Sequence, residues 1–138
     1  MDKISKALEI AINAHNGQVD KGGHDYIYHP ITVALHCDTE DEKIVALLHD
    51  VVEDTDVTIE NLQCFGAEIV EAVNAITKKE NQSLNDYLNC VKANEIARKV
   101  KIQDIMHNMD VSRLRKVTEK DIKRIDKYKQ ELEFLKNN

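Results

Sequence analysis

Apolar residues recur every three to four positions along most of the chain, which is the spacing of one face of an α-helix. The first such stripe runs from Ile4 to His15 and ends at Asn16-Gly17, a pair typical of turns. No stretch alternates apolar and polar residues for long enough to predict a sheet strand. The pattern therefore predicts an all-α fold.

Turn and capping residues divide the rest of the chain into further helices. Proline favours the first turn of a helix, so His29-Pro30 predicts the start of the second one. An acidic run at 38–42 predicts the cap of the third helix, and 118–121 (TEKD) is a start signal for the last. The predicted helical segments are 4–15, 31–37, 44–52, a short one before Phe65, 67–76, 83–91, 94–109 and 118–135. We expect a compact bundle of about six to eight helices.

The length of 138 residues suits a single domain over 1–138, because domains cluster at roughly 100–150 residues. With 42% hydrophobic residues, one Pro and four Gly, the composition excludes a disordered chain. No apolar run approaches the ~18 residues that span a bilayer, and the N-terminus lacks the apolar core of a signal peptide. Three widely spaced cysteines without a CxxC pair are typical of a reducing compartment. We therefore expect a cytoplasmic protein without a membrane partner.

Charge is unevenly distributed along the chain. Residues 92–138 carry 13 Lys and Arg against 8 Asp and Glu, whereas residues 1–91 carry 6 against 17. The acidic part could hold a cation and the basic part could contact phosphate, or the two parts could be solvated faces that attract each other. The net charge of −6 argues against broad binding to nucleic-acid backbones, which needs a concentrated basic surface.

Four titratable side chains lie within an apolar helical segment at 46–55 (ALLHDVVEDT): His49, Asp50, Glu53 and Asp54. Burying such groups is costly unless they are paired or coordinate a metal. Adjacent residues lie about 100° apart on a helix, so His49 and Asp50 can reach one ion where helices cross. Imidazole combined with carboxylate oxygens suits a divalent ion such as Mn²⁺, Fe²⁺, Mg²⁺ or Zn²⁺. The alternative is a capped or hydrogen-bonded helix end.

Two distant residues complete a set of four metal ligands. His29 presents an imidazole at a helix start, and Asp104 is a lone acid in an apolar helical stripe. One His, then a His-Asp pair, then a distant Asp is the order of the HD phosphohydrolase superfamily, which this chain resembles. The resemblance implies an HD-domain helical bundle.

More narrowly, the chain resembles the hydrolase domain of the RelA/SpoT alarmone enzymes and the small stand-alone hydrolases related to them, of the metazoan SpoT homologue type. The matching segments occur in order at 14–18 (AHNGQ), 26–30 (YIYHP), 46–55, 65–66 (FG), 76–78 (ITK) and 100–108 (VKIQDIMHN). They extend over most of the chain. Because the chain ends about where that hydrolase core ends, we expect a stand-alone hydrolase without a synthetase domain.

The resemblance implies a role for each matching residue. The implied ligands of one divalent metal ion, usually Mn²⁺ in this family, are His29, His49, Asp50 and Asp104. The acidic pair implied to orient and deprotonate the attacking water is Glu53 and Asp54. The residues implied to lie beside the nucleotide are Lys21, Tyr26, Asn108 and Tyr128.

The reaction that the resemblance implies is removal of pyrophosphate from the 3′ position of guanosine 3′,5′-bis(diphosphate), the (p)ppGpp alarmone of the stringent response. A small-molecule nucleotide is therefore the expected partner, and neither a membrane nor a nucleic acid is expected. The sequence predicts no particular oligomeric state.

The chain departs from the family pattern at two positions near the expected nucleotide. Asp20 stands where the family generally has an arginine that packs on guanine, and Asp110 stands where an arginine often occurs nearby. Each reversed charge near an anionic ligand costs on the order of 1–3 kcal/mol. The basic residues that would compensate by facing the pocket are Arg113, Arg115, Lys116 and Lys123.

Two alternatives therefore stay open. One is an HD phosphohydrolase that acts on another nucleotide, such as an adenine alarmone or an ordinary nucleoside phosphate. The other is a catalytically silent relative that binds a nucleotide. Among the remaining histidines, we expect a structural role for His107, whereas His15 fits a structural role and a role behind a metal ligand equally well.

Overall fold

The computed structural model describes residues 2–112 and 114–137. The first part of the chain forms α1 (Lys3–Ala14), α2 (Tyr28–Leu35), α3 (Glu40–Leu48) and the short α4 (Val51–Asp54). The second part forms a 3-10 helix (Ile59–Phe65), α5 (Ala67–Ile76), α6 (Leu84–Ala93), α7 (Glu95–Asn108) and α8 (Glu119–Lys136). These described residues contain no strand, which confirms the all-α prediction. None of the helices found in them has the length and apolar character needed to cross a membrane.

Side-chain caps start several helices where the sequence predicts them. Thr39, Ser83 and Thr118 each accept a hydrogen bond from a backbone amide three residues further on. These bonds satisfy N–H groups that the first turn of a helix leaves without a partner. Thr118 and Asp121 form a reciprocal capping box at the start of α8. The helix predicted at 118–135 is shifted by a single residue in α8, and the one predicted at 67–76 has the bounds of α5, which follows Gly66 without a side-chain cap.

α3 is the central helix of the bundle. Residues 44–48 are all buried, so the second half of this helix is apolar on every side. It packs against α1, α2, α5 and α7. Burying an aliphatic side chain contributes about 1.5–3 kcal/mol to the stability of the fold. This helix therefore holds the residues at its C-terminal end in a fixed position.

The chain turns between α3 and α4, at His49 and Asp50, where the sequence predicted one continuous helix over 44–52. His49 Nδ1 donates a hydrogen bond to the Ala46 carbonyl at 2.5 Å and so occupies an acceptor in the last turn of α3. Asp50 then stands immediately before the first residue of α4. The prediction of a single helix was wrong here, because a side chain competes for a backbone acceptor.

Three parts of the bundle converge beside this turn. α2 packs on both α3 and α7, which brings its first turn close to the end of α3. That first turn carries His29, and the buried face of α7 carries Asp104. The fold therefore collects side chains from three separate segments of the chain in one place.

Candidate metal centre and nucleotide pocket

Four side chains meet where α2, the α3–α4 turn and α7 converge. They are His29, His49, Asp50 and Asp104, and one ligand atom from each lies within 4.8 Å of the others. The Nε2 atoms of His29 and His49 lie 2.7 and 3.2 Å from Asp104 Oδ1. His49 Nε2 also lies 3.0 Å from Asp50 Oδ2. The structure thus brings together the four residues that the sequence predicted as ligands of one ion.

The donor set of this cluster suits a divalent cation. His29, His49 and Asp104 are at most 4% exposed. Two carboxylates side by side in such an environment are costly unless a positive charge lies between them. Imidazole nitrogens and carboxylate oxygens are both ligands of divalent metals in proteins. The residues therefore fit a divalent metal ion, and binding of that ion stays a prediction.

The carboxylates favour a positive charge inside the cluster. Burial disfavours the imidazolium of His49, but Asp50 and Asp104 outweigh burial and raise the pKa of His49 well above its usual value. Burial likewise disfavours the Asp104 carboxylate, yet Lys101 and His49 hold its pKa well below its usual range. A divalent cation bound between the two carboxylates would supply the positive charge that they favour.

Both carboxylates also have partners outside the cluster. Lys101 Nζ donates to Asp104 Oδ2 at 3.0 Å, whereas Asp104 Oδ1 faces the imidazoles. The Tyr26 hydroxyl donates to Asp50 Oδ2. Such contacts orient metal ligands. Lys101 was not among the site residues predicted from the sequence, although its position three residues before Asp104 places both on one side of the helix.

α4 carries Glu53 and Asp54 at the exposed edge of the cluster, about one helical turn after Asp50. Loss of hydration and the negative charge of Asp50 raise the pKa of both carboxyl groups. A raised pKa makes a carboxylate a stronger proton acceptor. This edge can therefore take a proton from a water molecule beside the cluster, and the predicted catalytic role of the pair stays a prediction.

A cavity of about 250 Å³ adjoins the cluster. His29 of the cluster and Tyr26, which contacts Asp50, both line it. The four residues predicted to lie beside the nucleotide all line this cavity: Lys21, Tyr26, Asn108 and Tyr128. Its volume lies a little below the ~300–1,000 Å³ typical of ligand pockets.

Asp20 and Asp110, where the chain departs from the family pattern, both line this cavity as well. Asp20 Oδ1 accepts hydrogen bonds from the backbone amides of Gly22 and His24, each at 2.9 Å. Asp110 Oδ1 accepts the amide of Ser112 at 2.9 Å. Both acids therefore organise loops around the cavity while they keep negative charge in its wall.

Positive charge in the cavity wall comes, among the described residues, from Lys21 and Arg124. Of the basic residues expected to compensate, Arg115, Lys116 and Lys123 do not line the cavity and Arg113 lies outside the described residues. Arg124 Nη2 also pairs with Asp121 Oδ1 at 3.0 Å. Arg124 was not among the residues predicted from the sequence to line the pocket, although it precedes Tyr128 by four residues and so shares its helix face.

The sequence profile of the HD domain family matches residues 7–127, including every residue of the cluster. The chain belongs to the HD domain family. A guanosine-3′,5′-bis(diphosphate) 3′-pyrophosphohydrolase of Haemophilus influenzae is 47% identical over 75 residues, which cover 50% of this HD-domain chain and 11% of that protein. A protein of the same name from Spiroplasma citri is 36% identical over 126 residues, which cover 79% of this chain and 17% of that protein. The chain thus spans less than a fifth of the length of these two relatives.

A solved structure shares the fold over nearly the whole chain. It is that of a metazoan orthologue of SpoT described as hydrolysing ppGpp, and it matches with a TM-score of 0.79 and 22% identity. The match covers 99% of this HD-domain chain and 87% of the other chain. The predicted HD-domain bundle and the resemblance to the RelA/SpoT group are confirmed.

Proposed function

We propose that this HD-domain protein is a metal-dependent hydrolase that removes pyrophosphate from the 3′ position of guanosine 3′,5′-bis(diphosphate). The observation that carries the proposal is the shared wall of the ligand cluster and the cavity, to which His29 and Tyr26 both contribute. A nucleotide in the cavity would have its phosphates beside the cluster. The names of the Haemophilus influenzae and Spiroplasma citri relatives support this substrate.

Each wall of the cavity offers a contact for one part of the nucleotide. Lys21 and Arg124 carry the positive charge for its phosphates. Asn108 supplies an amide for the sugar, and the ring of Tyr128 supplies a flat surface for the base.

The acidic edge of the cluster carries out the proton transfers. Glu53 or Asp54 takes a proton from water, and the water oxygen forms a bond to the phosphorus attached to the ribose 3′ oxygen. The bond between that phosphorus and the 3′ oxygen breaks, and the 3′ oxygen receives the proton. The products are pyrophosphate and a nucleoside diphosphate. When bound, a divalent cation supplies a Lewis acid that neutralises phosphoryl charge and acidifies water.

We also propose Mn²⁺ as the metal. The two imidazoles and two carboxylates suit Mn²⁺, Fe²⁺, Mg²⁺ or Zn²⁺, and the resemblance to the RelA/SpoT hydrolases favours Mn²⁺ among them. We propose the cytoplasm as the location. The three cysteines are free thiols, as is usual in a reducing compartment.

A second candidate is hydrolysis of a different nucleotide. Asp20 and Asp110 favour it, because their charge in the cavity wall opposes a ligand with four phosphate groups. A ligand with fewer phosphates or another base would meet less repulsion.

Product analysis with Mn²⁺ tests both candidates. The substrates are guanosine and adenosine 3′,5′-bis(diphosphates), ordinary nucleoside triphosphates and deoxynucleoside monophosphates. We expect release of pyrophosphate from the 3′ side of the guanosine compound, loss of this activity in Asp104→Ala, and retention in Asp86→Asn, which alters an exposed acid of α6.

Other outcomes of this experiment would change the conclusion. Turnover of a different nucleotide alone would favour the second candidate. Nucleotide binding without turnover by folded, metal-loaded protein would contradict both and leave a silent nucleotide-binding relative.

A further inference from the structure

The two histidines of the cluster differ in what holds their second ring nitrogen. His49 Nδ1 donates to the backbone carbonyl of Ala46 in its own helix. His29 Nδ1 lies 2.7 Å from Nδ1 of His107, a side chain of α7. A metal-binding imidazole usually donates its other N–H to a carboxylate, a carbonyl or water. His29 differs from this usual arrangement, because its second nitrogen contacts another imidazole.

Metal binding at His29 Nε2 fixes the direction of this hydrogen bond. A neutral imidazole has one N–H and one lone pair, and two Nδ1 atoms 2.7 Å apart need one of each. His29 Nε2 lies 2.7 Å from Asp104 Oδ1 and 3.8 Å from Asp50 Oδ2, so it is the nitrogen that faces the other ligands. Metal binding requires its lone pair. In the metal-bound protein the proton of the His29 ring then lies on Nδ1, and His107 Nδ1 accepts it.

One helix holds both edges of the His29 ring. Asp104 and His107 lie three residues apart on α7 and so face the same side. Asp104 contacts Nε2 of His29, and His107 contacts Nδ1. The rings of His29 and His107 also stack, with centroids 4.9 Å apart and 24° between their planes. Rotation of the His29 ring would break all of these contacts together.

We propose that His107 is a positioning residue of the metal site. By accepting the Nδ1 proton of His29, it fixes the tautomer and the ring orientation in which His29 Nε2 binds the metal. The proposal rests on the metal-binding part of the proposed function and not on the identity of the nucleotide. It replaces the purely structural role expected for His107 from the sequence.

Two variants separate the hydrogen bond from the stacking. His107→Phe keeps an aromatic ring beside His29 and removes the acceptor. His107→Asn removes the ring and keeps an acceptor oxygen at about the distance of Nδ1 from the backbone. His36→Phe is the matched control, because His36 lies exposed at the other end of α2, where its Nδ1 hydrogen-bonds the Thr32 carbonyl of the same helix.

Titration of the protein with Mn²⁺, followed by electron paramagnetic resonance without nucleotide, measures the effect. We expect His107→Phe to weaken Mn²⁺ binding about 10–100-fold, the range typical of partners behind metal-binding histidines. We expect His107→Asn to stay within about threefold of the wild type and His36→Phe to be unchanged. Circular dichroism of each variant checks that it folds.

The tautomers of His29 and His107 provide a second measurement, because packing of the two rings would not determine which nitrogen carries the proton. In wild-type protein loaded with Zn²⁺, nitrogen NMR is expected to find a proton on His29 Nδ1 and none on His107 Nδ1. This measurement keeps the proposal testable even if a variant fails to fold.

Three results would overturn the proposal: wild-type Mn²⁺ affinity in His107→Phe, equal losses in His107→Phe and His107→Asn, or a proton on His107 Nδ1 in the loaded protein. None of them depends on turnover. A protein that shows the expected metal binding but does not hydrolyse the guanosine compound would contradict the proposed substrate and leave the role of His107 intact.

Discussion

The ligand cluster and the adjoining cavity are built in different ways. The cluster stands on packed helices around α3, and three of its four side chains are almost fully buried. Much of the cavity wall comes instead from the loop before α2 and the segment between α7 and α8. Helices that pack in a core hold side chains in one geometry, whereas loops accept substitution more easily. Under the proposed function, the cluster would therefore set the reaction, while the cavity would select the nucleotide.

The largest effect on activity is expected at the acidic edge of the cluster, where the reaction and not the choice of nucleotide should change. Glu53→Gln removes a proton acceptor with little change in shape, so we expect kcat to fall about 10²–10⁴-fold while KM and Mn²⁺ affinity change little. Steady-state kinetics on the nucleotide that the product panel identifies, with a Mn²⁺ titration, measure this. Glu60→Gln, at an exposed acid of the 3-10 helix, is the control that should keep full activity. A higher KM with normal kcat would mean that the edge also selects the nucleotide.

Substitutions in the cavity wall should instead change KM and leave kcat nearly unaltered. Arg124→Gln removes a cation from its wall, and a charge-assisted hydrogen bond contributes about 1.5–3 kcal/mol. We therefore expect KM to rise about 10–100-fold with little change in kcat. Lys123→Gln removes the same charge from the neighbouring position, which does not line the cavity, and should behave like the wild type. Equal effects of the two changes would indicate general electrostatic attraction instead of a contact.

A smaller effect on KM is expected at Asp20, where the chain departs from the family pattern. Asp20→Asn removes the charge but keeps an oxygen that can accept the amides of Gly22 and His24. Less repulsion should lower KM for an anionic nucleotide about three- to tenfold at low salt. Asp20→Ala also removes the loop contacts and should raise KM, because the loop carries Lys21. A higher KM in Asp20→Asn would mean that the carboxylate itself binds the nucleotide.

The smallest effect concerns stability. Because loss of hydration and the charge of Asp50 raise the pKa of Asp54, its carboxylate destabilises the metal-free fold at neutral pH. This cost disappears as the pH falls through the folded-state pKa and the group takes up its proton. Asp54→Asn should therefore raise Tm by about 1–3 °C at pH 7 in the presence of a chelator, and not at pH 4. Thermal unfolding measures this, with the exposed Asp56→Asn as control; a gain that is the same at both pH values would contradict the electrostatic explanation.

The sequence predicted most of the helices because their signals are local. The stripe at 67–76 has the bounds of α5, and the threonine at 118 caps α8 as its neighbours indicate. Both the apolar period of a helix and a capping hydrogen bond join residues only a few positions apart. The turn at His49 was missed because the competing hydrogen bond, to the Ala46 carbonyl, gives no separate pattern in the sequence.

The candidate site was predictable in part for a different reason. His29, His49, Asp50 and Asp104 stand out because acids and imidazoles are unusual in apolar segments, and their order matches a known family. Contacts between distant segments leave no such trace. The 2.7 Å contact of His29 with His107 joins residues 78 positions apart.

Taken by itself, the sequence determined the helical fold, the HD family and the residue types available for metal and nucleotide, since all of these follow from local periodicity and ordered motifs. Only the tertiary structure decided which side chains meet. The packing of α2 against α3 and α7 sets the distances within the cluster and places His107 behind His29, whereas the packing of α8 against α7 brings Arg124 to the cavity wall. These outcomes depend on how whole helices pack, and that is a property of the complete core.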